Sequence, residues 1–273
     1  MSKAKPMSVS IHPTAIIDAK ATFGDQVSIG PYCVVGPHVV LGDRVKLHAH
    51  VVIDGRTTLG ADSEVYPFAV LGAPPQHTRF AGEDSTLEIG HHCVIREHVT
   101  MHPGTAIDSM RTRVGNHGLF LVASHVAHDC VVGDHAIFAN NASLGGHAKI
   151  GDHVMMGGFA TVQQWCRVGD HAMVASQTAV DSDVIPFGIA VGNRACLTGM
   201  NVIGMARRGF SEDSISNVRS LYKDLFRGRG VFRDRLERAR QTYGHGAEAA
   251  HIFAFLETAG RNGICQAGAR QAG

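Results

Sequence analysis

The segment SHVAHDC carries two histidines, His125 and His128, with a carboxylate, Asp129, directly after the second. An imidazole beside a carboxylate has the parts of a general base. The acid orients one ring nitrogen and leaves the other free to take a proton near neutral pH. Further on, the chain reads GGH, which contains Gly146 and His147. A glycine whose N–H is free to donate could hold a developing oxyanion beside such a base. Together these groups suit transfer to a weak nucleophile, provided the chain brings His128 and Gly146 together.

The spacing that could do so runs through most of the chain. From Ile11 the sequence falls into blocks of six, each opening on an apolar residue. Eleven blocks lead from Ile11 to Leu71, three from Ile89 to Met101 and twelve from Val114 to Val180, 26 in all. Position two is glycine in 13 of the 26, as at Gly24, Gly42, Gly133 and Gly151, which suits a corner needing either positive φ or close backbone approach. Position five is small, as at Ala15, Cys33, Val51, Ala136 and Cys166. A period of six matches neither an amphipathic helix nor a simple alternating strand. It fits short strands separated by tight turns and wound into a parallel β-helix.

These blocks resemble the hexapeptide-repeat acyltransferases. That resemblance implies a left-handed parallel β-helix with three hexads per triangular coil, hence between eight and nine coils and a prism about 40 Å tall. In such a prism His147 lies about one coil beyond His128, which places His128 near Gly146 and His147. Two interruptions, 73–88 and 103–113, are rich in Gly, Pro and charge and read as loops leaving the prism. The expected layout is an N-terminal tail over 1–10, the β-helix over 11–190, an α-helical C-terminal domain over 191–260 and a flexible tail over 261–273. Within that domain Ser211 can cap a helix covering EDSISNVRSLYKDLF, with further helices expected over 231–243 and 247–259.

Composition excludes several other readings. Lys and Arg number 25 against 24 Asp and Glu, so no net charge draws the chain to nucleic acid. No apolar run is long enough to span a bilayer, and the opening MSKAKPMSVS lacks the apolar stretch of a secretory signal, so a cytoplasmic location is expected. Cys33, Cys93, Cys130 and Cys166 fall at position five, where a thiol serves as a small buried hydrophobe. Many histidines, including His92, His117, His135, His153 and His171, fall at position four, where side chains should point out of the prism.

The strings AHDC, FANNASLGGH, GGFATVQQW, PFGIAVGNRA and NVIGMARRGFS are similar to the acyl-[acyl-carrier-protein]–UDP-N-acetylglucosamine O-acyltransferase family over essentially residues 10–260. The resemblance implies that a 3-hydroxyacyl group moves from the phosphopantetheine of acyl carrier protein to the sugar 3-hydroxyl, the first step of lipid A biosynthesis in Gram-negative bacteria. It also implies a homotrimer with sites between subunits, and neither a metal nor a further cofactor. Carried over position by position, His128 matches the general base, Asp129 its orienting acid and Gly146 the oxyanion donor. His125, His147 and Gln164 match pocket residues. Gln76, His77 and Arg79 lie in the loop that contacts the sugar nucleotide, and Asn201, Arg207 and Arg208 match its diphosphate side. Ser176 and Arg194 match the positions that stop the acyl chain.

Four departures stand out: His77 where the loop usually has Asp, Gln163 for a pocket His, Ile203 for Glu, and Arg194 for His. The His77 change leaves a 3-amino sugar open as acceptor. A rival on the same prism is a zinc hydratase of the γ-class carbonic anhydrase type, which requires three converging histidines and an open fourth position.

Overall fold

The computed structural model describes residues 9–258 and 260–268; most of the tail expected over 1–10, and residues 269–273 of the C-terminal one, lie outside the described residues. Each of the 26 hexads forms one short strand that ends on its opening apolar residue, from Ser10–Ile11 to Ala179–Val180. Successive strands pass to a first, a second and a third sheet in turn, so a strand pairs in parallel with the one three places on. Ser10 faces Ser28, and Ser28 faces Lys46, a repeat of 18 residues per coil. The result is a three-sided parallel β-helix.

Its core is a narrow column. Position-one residues such as Leu41, Ile53, Phe120 and Phe138 point inward and are fully buried, with position-five residues such as Val27, Cys33, Ala136 and Ala142 filling the gaps beside them. Alternating large and small side chains lets one hexad interdigitate with the next. The six cysteines are free, and burial pushes the Cys130 thiol up to about 12, which suits packing and not redox chemistry.

Close backbone approach, and not positive φ, accounts for twelve of the thirteen position-two glycines; Gly72 alone has positive φ, at 82°. Gly24, Gly133 and Gly151 do not have positive φ. A Cβ on Gly133 would instead lie 2.3 Å from Asp152 Oδ1 and 2.7 Å from the Asp152 backbone nitrogen in the next coil. Positive φ belongs to position four, which holds nineteen of the twenty-one non-glycine residues with that conformation among the described residues. Each coil turns its corner there.

The position-four histidines stand outside the core, as expected, and five of them stack on one another. At the corner between the third and first sheets, His92, His117, His135, His153 and His171 stack face to face in one ladder. Centroids of His135 and His153 are 4.6 Å apart with planes 1° from parallel, and the ladder ends on Phe187. His92, His117 and His135 stay exposed despite the stacking, and His153 and His171 are half-buried.

The interruptions are shorter than expected, because four-residue strands Thr86–Ile89 and Arg111–Val114 take their last residues into the third sheet. Both loops leave the corner between the second and third sheets, in consecutive coils. The strand Gly188–Val191 still pairs in parallel with Met173–Val174, so it straddles the boundary expected at 190, and Cys196–Met200 folds back on it as a hairpin.

Helices α1 (Val202–Arg207), α2 (Glu212–Arg227), α3 (Phe232–Tyr243) and α4 (Ala247–Glu257) follow. Ser211 caps α2 by accepting from the Ser214 N–H, as its position suggested, whereas α1 was not foreseen. On α4 the buried residues are Ala249, Ile252 and Phe253. The described part of the expected flexible tail is fixed: Asp183 donates to Gly263 O, Cys265 to Asp183 O and Leu197 to Gln266 O. Asp183, fully buried, also accepts from Arg167 Nε at 2.6 Å and from its backbone N–H.

Gly133→Ala should cost about 1–3 kcal/mol through overpacking between coils, measured by thermal or urea unfolding; an unchanged midpoint would show that neighbouring coils yield freely. A second expectation concerns acid. Burial, with His153, Arg208 and His251 nearby and only Asp170 opposing, pushes His171 down to about 4 from its ordinary 6.5. The unfolded chain therefore binds a proton that the folded chain refuses, so this contribution to stability is complete above pH 6.5 and is lost progressively as pH falls toward 4. The unfolding midpoint should drop across that window, and His171→Asn, whose side chain tolerates positive φ, should flatten the dependence.

Candidate functional site

Register at the corner between the second and third sheets assembles the site. His128 and Asp129 follow the strand His125–Val126, and Gly146 and His147 follow its neighbour Ser143–Leu144 in the next coil. The His147 N–H donates to His128 O at 3.0 Å, tying the two turns together. A Cβ on Gly146 would sit 2.5 Å from His128 Cε1 and 2.6 Å from Nε2, so only glycine leaves room for the imidazole. Among the described residues no backbone acceptor pairs with the Gly146 N–H. His128 and Gly146 stand side by side, as expected.

The ring is oriented from the other side. His128 Nδ1–H donates to Asp129 Oδ2 at 2.9 Å, which directs Nε2 outward as the basic nitrogen. Asp129 is held in turn by Thr105, whose backbone N–H reaches both carboxylate oxygens and whose hydroxyl donates to Oδ2 at 2.6 Å. Burial opposes ionisation of Asp129, but the hydrogen bonds from His128 and Thr105 outweigh it and hold the carboxyl below its usual range. Thr112 Oγ1 accepts from the Asp129 N–H at 2.8 Å. Neither threonine was evident in the sequence, although both interruptions sit where the register puts them next to His128.

The loops close the corner. From the first, His77 sets its ring edge-on to His128 with centroids 5.0 Å apart. From the second, Asp108 Oδ2 accepts from His147 Nδ1–H at 3.0 Å. Gln76 and Arg79 are exposed on the first loop and Gln164 on the coil above His147. His125 stands on the outer face of the second sheet with Nδ1 2.7 Å from Thr100 Oγ1. Burial, with His102 and His128 adding to it, pushes His125 down to about 4 and keeps it neutral.

Other expected residues lie elsewhere in the chain. Asn201 is 7% exposed and fully engaged: Oδ1 caps α1 through the Gly204 N–H, and Nδ2 donates to His171 O. It acts here as a structural clamp. Arg207 is exposed on α1, and Arg208 Nη2 donates to His153 O beside the histidine ladder, at a different corner of the prism from His128. Ser176 and Arg194 border the strand Ala179–Val180: Ser176 is exposed at the corner before it, and the turn containing Arg194 bonds to Ala179 through Gly192 O and the Ala195 N–H.

His128, Asp129 and His147 place one donor atom each within 4.8 Å of one another. Asp129 already accepts from His128 and Thr105, and a third histidine is absent from the group, so the donor set suits an oriented imidazole and not an open three-histidine zinc site. Among the described residues no helix is long and apolar enough to cross a membrane.

Comparison with known proteins agrees with this geometry. The family model for UDP N-acetylglucosamine O-acyltransferase, domain 2, matches residues 183–265, and that for the bacterial transferase hexapeptide (six repeats) matches residues 8–43. The acyl-[acyl-carrier-protein]–UDP-N-acetylglucosamine O-acyltransferase of Azorhizobium caulinodans is 54% identical over 255 residues, covering 93% of this chain and 94% of that one. Its counterpart from Rickettsia typhi is 50% identical over 257 residues, covering 94% and 97%. Among solved structures, the UDP-N-acetylglucosamine O-acyltransferase of Moraxella catarrhalis aligns with a TM-score of 0.90 at 39% identity, over 94% of this chain and 99% of the other. The Campylobacter jejuni UDP-N-acetylglucosamine acyltransferase aligns at 0.89 and 32%, over 95% and 100%. With identity at that level along nearly the whole chain, and His128, Asp129 and Gly146 gathered at one corner of the prism, the chain belongs to the acyl-[acyl-carrier-protein]–UDP-N-acetylglucosamine O-acyltransferase family.

Proposed function

We propose that this protein transfers a 3-hydroxyacyl group from acyl carrier protein to the 3-hydroxyl of UDP-N-acetylglucosamine, the first step of lipid A biosynthesis, in the cytoplasm. The observation that carries the reading is the His128–Asp129 pair standing against the Gly146 N–H. A secondary hydroxyl is a poor nucleophile at neutral pH and needs a base. His128 Nε2 takes the hydroxyl proton as the oxygen attacks the thioester carbonyl, and the new imidazolium is stabilised by Asp129. The carbonyl oxygen becomes an oxyanion that accepts from the Gly146 N–H. Collapse breaks the C–S bond, and His128 returns its proton to the departing phosphopantetheine sulfur. The thioester arrives activated, so the sequence of steps needs no cofactor beyond the donor's own arm.

His77 bears on the acceptor. Its Nδ1 accepts from the Arg79 N–H at 3.2 Å, which leaves Nε2 carrying the ring hydrogen as a donor. A donor suits a sugar hydroxyl oxygen better than an ammonium, which favours the hydroxyl acceptor over the 3-amino sugar.

Oligomerisation completes the reading. Arg207 and Arg208 supply fixed cations for a diphosphate, yet they lie toward the corner of the histidine ladder while His128 occupies another. A homotrimer of prisms, each offering one corner to its neighbour, brings the two sets to one substrate. Arg219 and Lys223 are exposed on α2, beside a hollow lined by Thr198, Gly199, Met200 and Tyr222, and form part of a basic surface for the acidic carrier protein.

His128→Ala should lower kcat by about 10²–10⁴-fold with the fold retained, and Gly146→Ala, which drives a methyl into the ring, by about 10²-fold, in a transfer assay with acyl carrier protein and UDP-N-acetylglucosamine. A His128→Ala rate above a tenth of wild type would remove the base assignment. For the acyl chain, a serine at 176 leaves less room than a glycine would, and each excluded methylene forfeits about 0.8 kcal/mol of burial. Ser176→Gly should therefore move the optimum of an acyl-length series toward longer chains; an unmoved optimum would put the stop elsewhere.

A further inference from the structure

At the corner that holds His128, Asp129, His147 and Trp165 occupy position four of three successive coils, with φ of 58°, 65° and 67°. Stacking at equivalent positions continues here, but with chemistry unlike that of the histidine ladder. The His147 imidazole lies flat on the Trp165 indole, with ring centroids 3.7 Å apart and planes 4° from parallel. Arg261 lies on the same indole, its guanidinium carbon 3.6 Å from the ring centre. Two groups that close to one ring centre must occupy its opposite faces. The order along the column is therefore carboxylate, imidazole, indole, guanidinium.

Arg261 comes from the segment after α4, which reaches this corner from the far end of the chain. The next residue, Asn262, donates from Nδ2 to Gln164 O at 2.9 Å and lies 3.1 Å from Cys166 Sγ, so the segment grips the residues on both sides of Trp165. Below, the Trp165 N–H donates to Gly146 O and the His147 N–H to His128 O, which link the stack to the oxyanion donor and the base through the backbone. The segment is already fastened by Gly263 O and Cys265 to Asp183. The arginine stack is an addition to that anchorage, and an exposed guanidinium on indole is a recognised attraction.

We propose that Trp165 and Arg261 are positioning residues for the transfer reaction: the C-terminal segment caps the column and holds the His147 ring in place. The His128 ring stands edge-on against His147, with centroids 4.9 Å apart and planes at 87°, so a tilt of His147 moves the wall beside the base. Asp108 restrains His147 at one ring atom only, and the flat stack sets the plane. This inference rests on the reading of His128 as the base.

Trp165 is the sole tryptophan of the chain, so its emission reports the column without any substrate. The experiment compares the full-length protein with Arg261→Ala and Arg261→Lys in three measurements: Trp165 emission, unfolding midpoint, and kcat and KM for acyl transfer. Arg261→Ala should move the emission to the red and lower kcat roughly tenfold, within the range a small misplacement beside the chemistry costs, with the KM for acyl carrier protein unchanged. Arg261→Lys, which keeps a cation for the indole face, should restore most of both. A red shift with unaltered kcat would overturn the proposal, since the stack would then exist without positioning anything. An unmoved emission would overturn it as well, because the stack would not exist in solution. A lower unfolding midpoint alone, with kcat intact, would mark Arg261 as purely structural. If the wild type performed no acyl transfer, the functional reading would fail separately, and the column would stand or fall on the emission shift and its recovery in Arg261→Lys.

Discussion

Parallel pairing between coils is the interaction on which everything else in this molecule depends. Each strand is only two to four residues long through the prism, yet it pairs with its neighbours in the adjoining coils 18 residues apart, or 30 and 25 apart where a loop intervenes. A side chain therefore always meets the residue one coil away, whatever lies between them in sequence. Large position-one residues fall over one another in the core, and position-four residues fall over one another at the corners. Most corner residues adopt positive φ, which normally disfavours side chains, and at several corners flat rings stack on one another. His135 on His153 and His147 on Trp165 are the same device used for two purposes.

Catalytic chemistry requires a break in that regularity. A perfect prism has no concave surface, since its faces are flat and its core is closed. The two loops leave consecutive coils at one corner and return over the next, converting a convex edge into a partly enclosed site. Thr105 illustrates what enclosure accomplishes. A buried carboxylate is costly to ionise, and the three contacts from Thr105 with the His128 N–H keep Asp129 charged in spite of burial. A charged, immobile acid beside an imidazole is what fixes the tautomer and direction of the His128 ring.

The C-terminal part serves the prism instead of standing apart from it. Its hairpin extends the first sheet, and His251 on α4 bonds Asp170 at 2.9 Å, next to His171 near the Phe187 end of the histidine ladder. Arg167 reaches from the third sheet to Asp183, to Thr258 and over the Phe255 ring. Through these ties a segment close to the end of the chain arrives at the corner that holds His128, where Arg261 stacks on Trp165.

Much of this was legible in the residues themselves. Twenty-six apolar residues at a spacing of six, with small residues four places on, require short strands and a narrow core, and the strands end on those residues. The AHDC and GGH strings fall one coil apart, so the meeting of His128 with Gly146 followed from counting. Ser211 announced the start of α2 because a cap is a local interaction between residues three apart. What periodicity does not carry is the path of a segment that leaves the repeat. Thr105 and Asp108 sit in a loop without period, and their partners are set by how that loop folds back. Asn201 could be matched to a nucleotide site from its string, but only packing shows both ends of its amide already bonded. The contact of Arg261 with Trp165 depends on four helices and a hairpin all ending in the right place, which no local signal near residue 261 encodes. Local sequence determines structure where the interacting groups are neighbours along the chain or related by a fixed period; where they are neither, the tertiary fold alone decides which side chains meet.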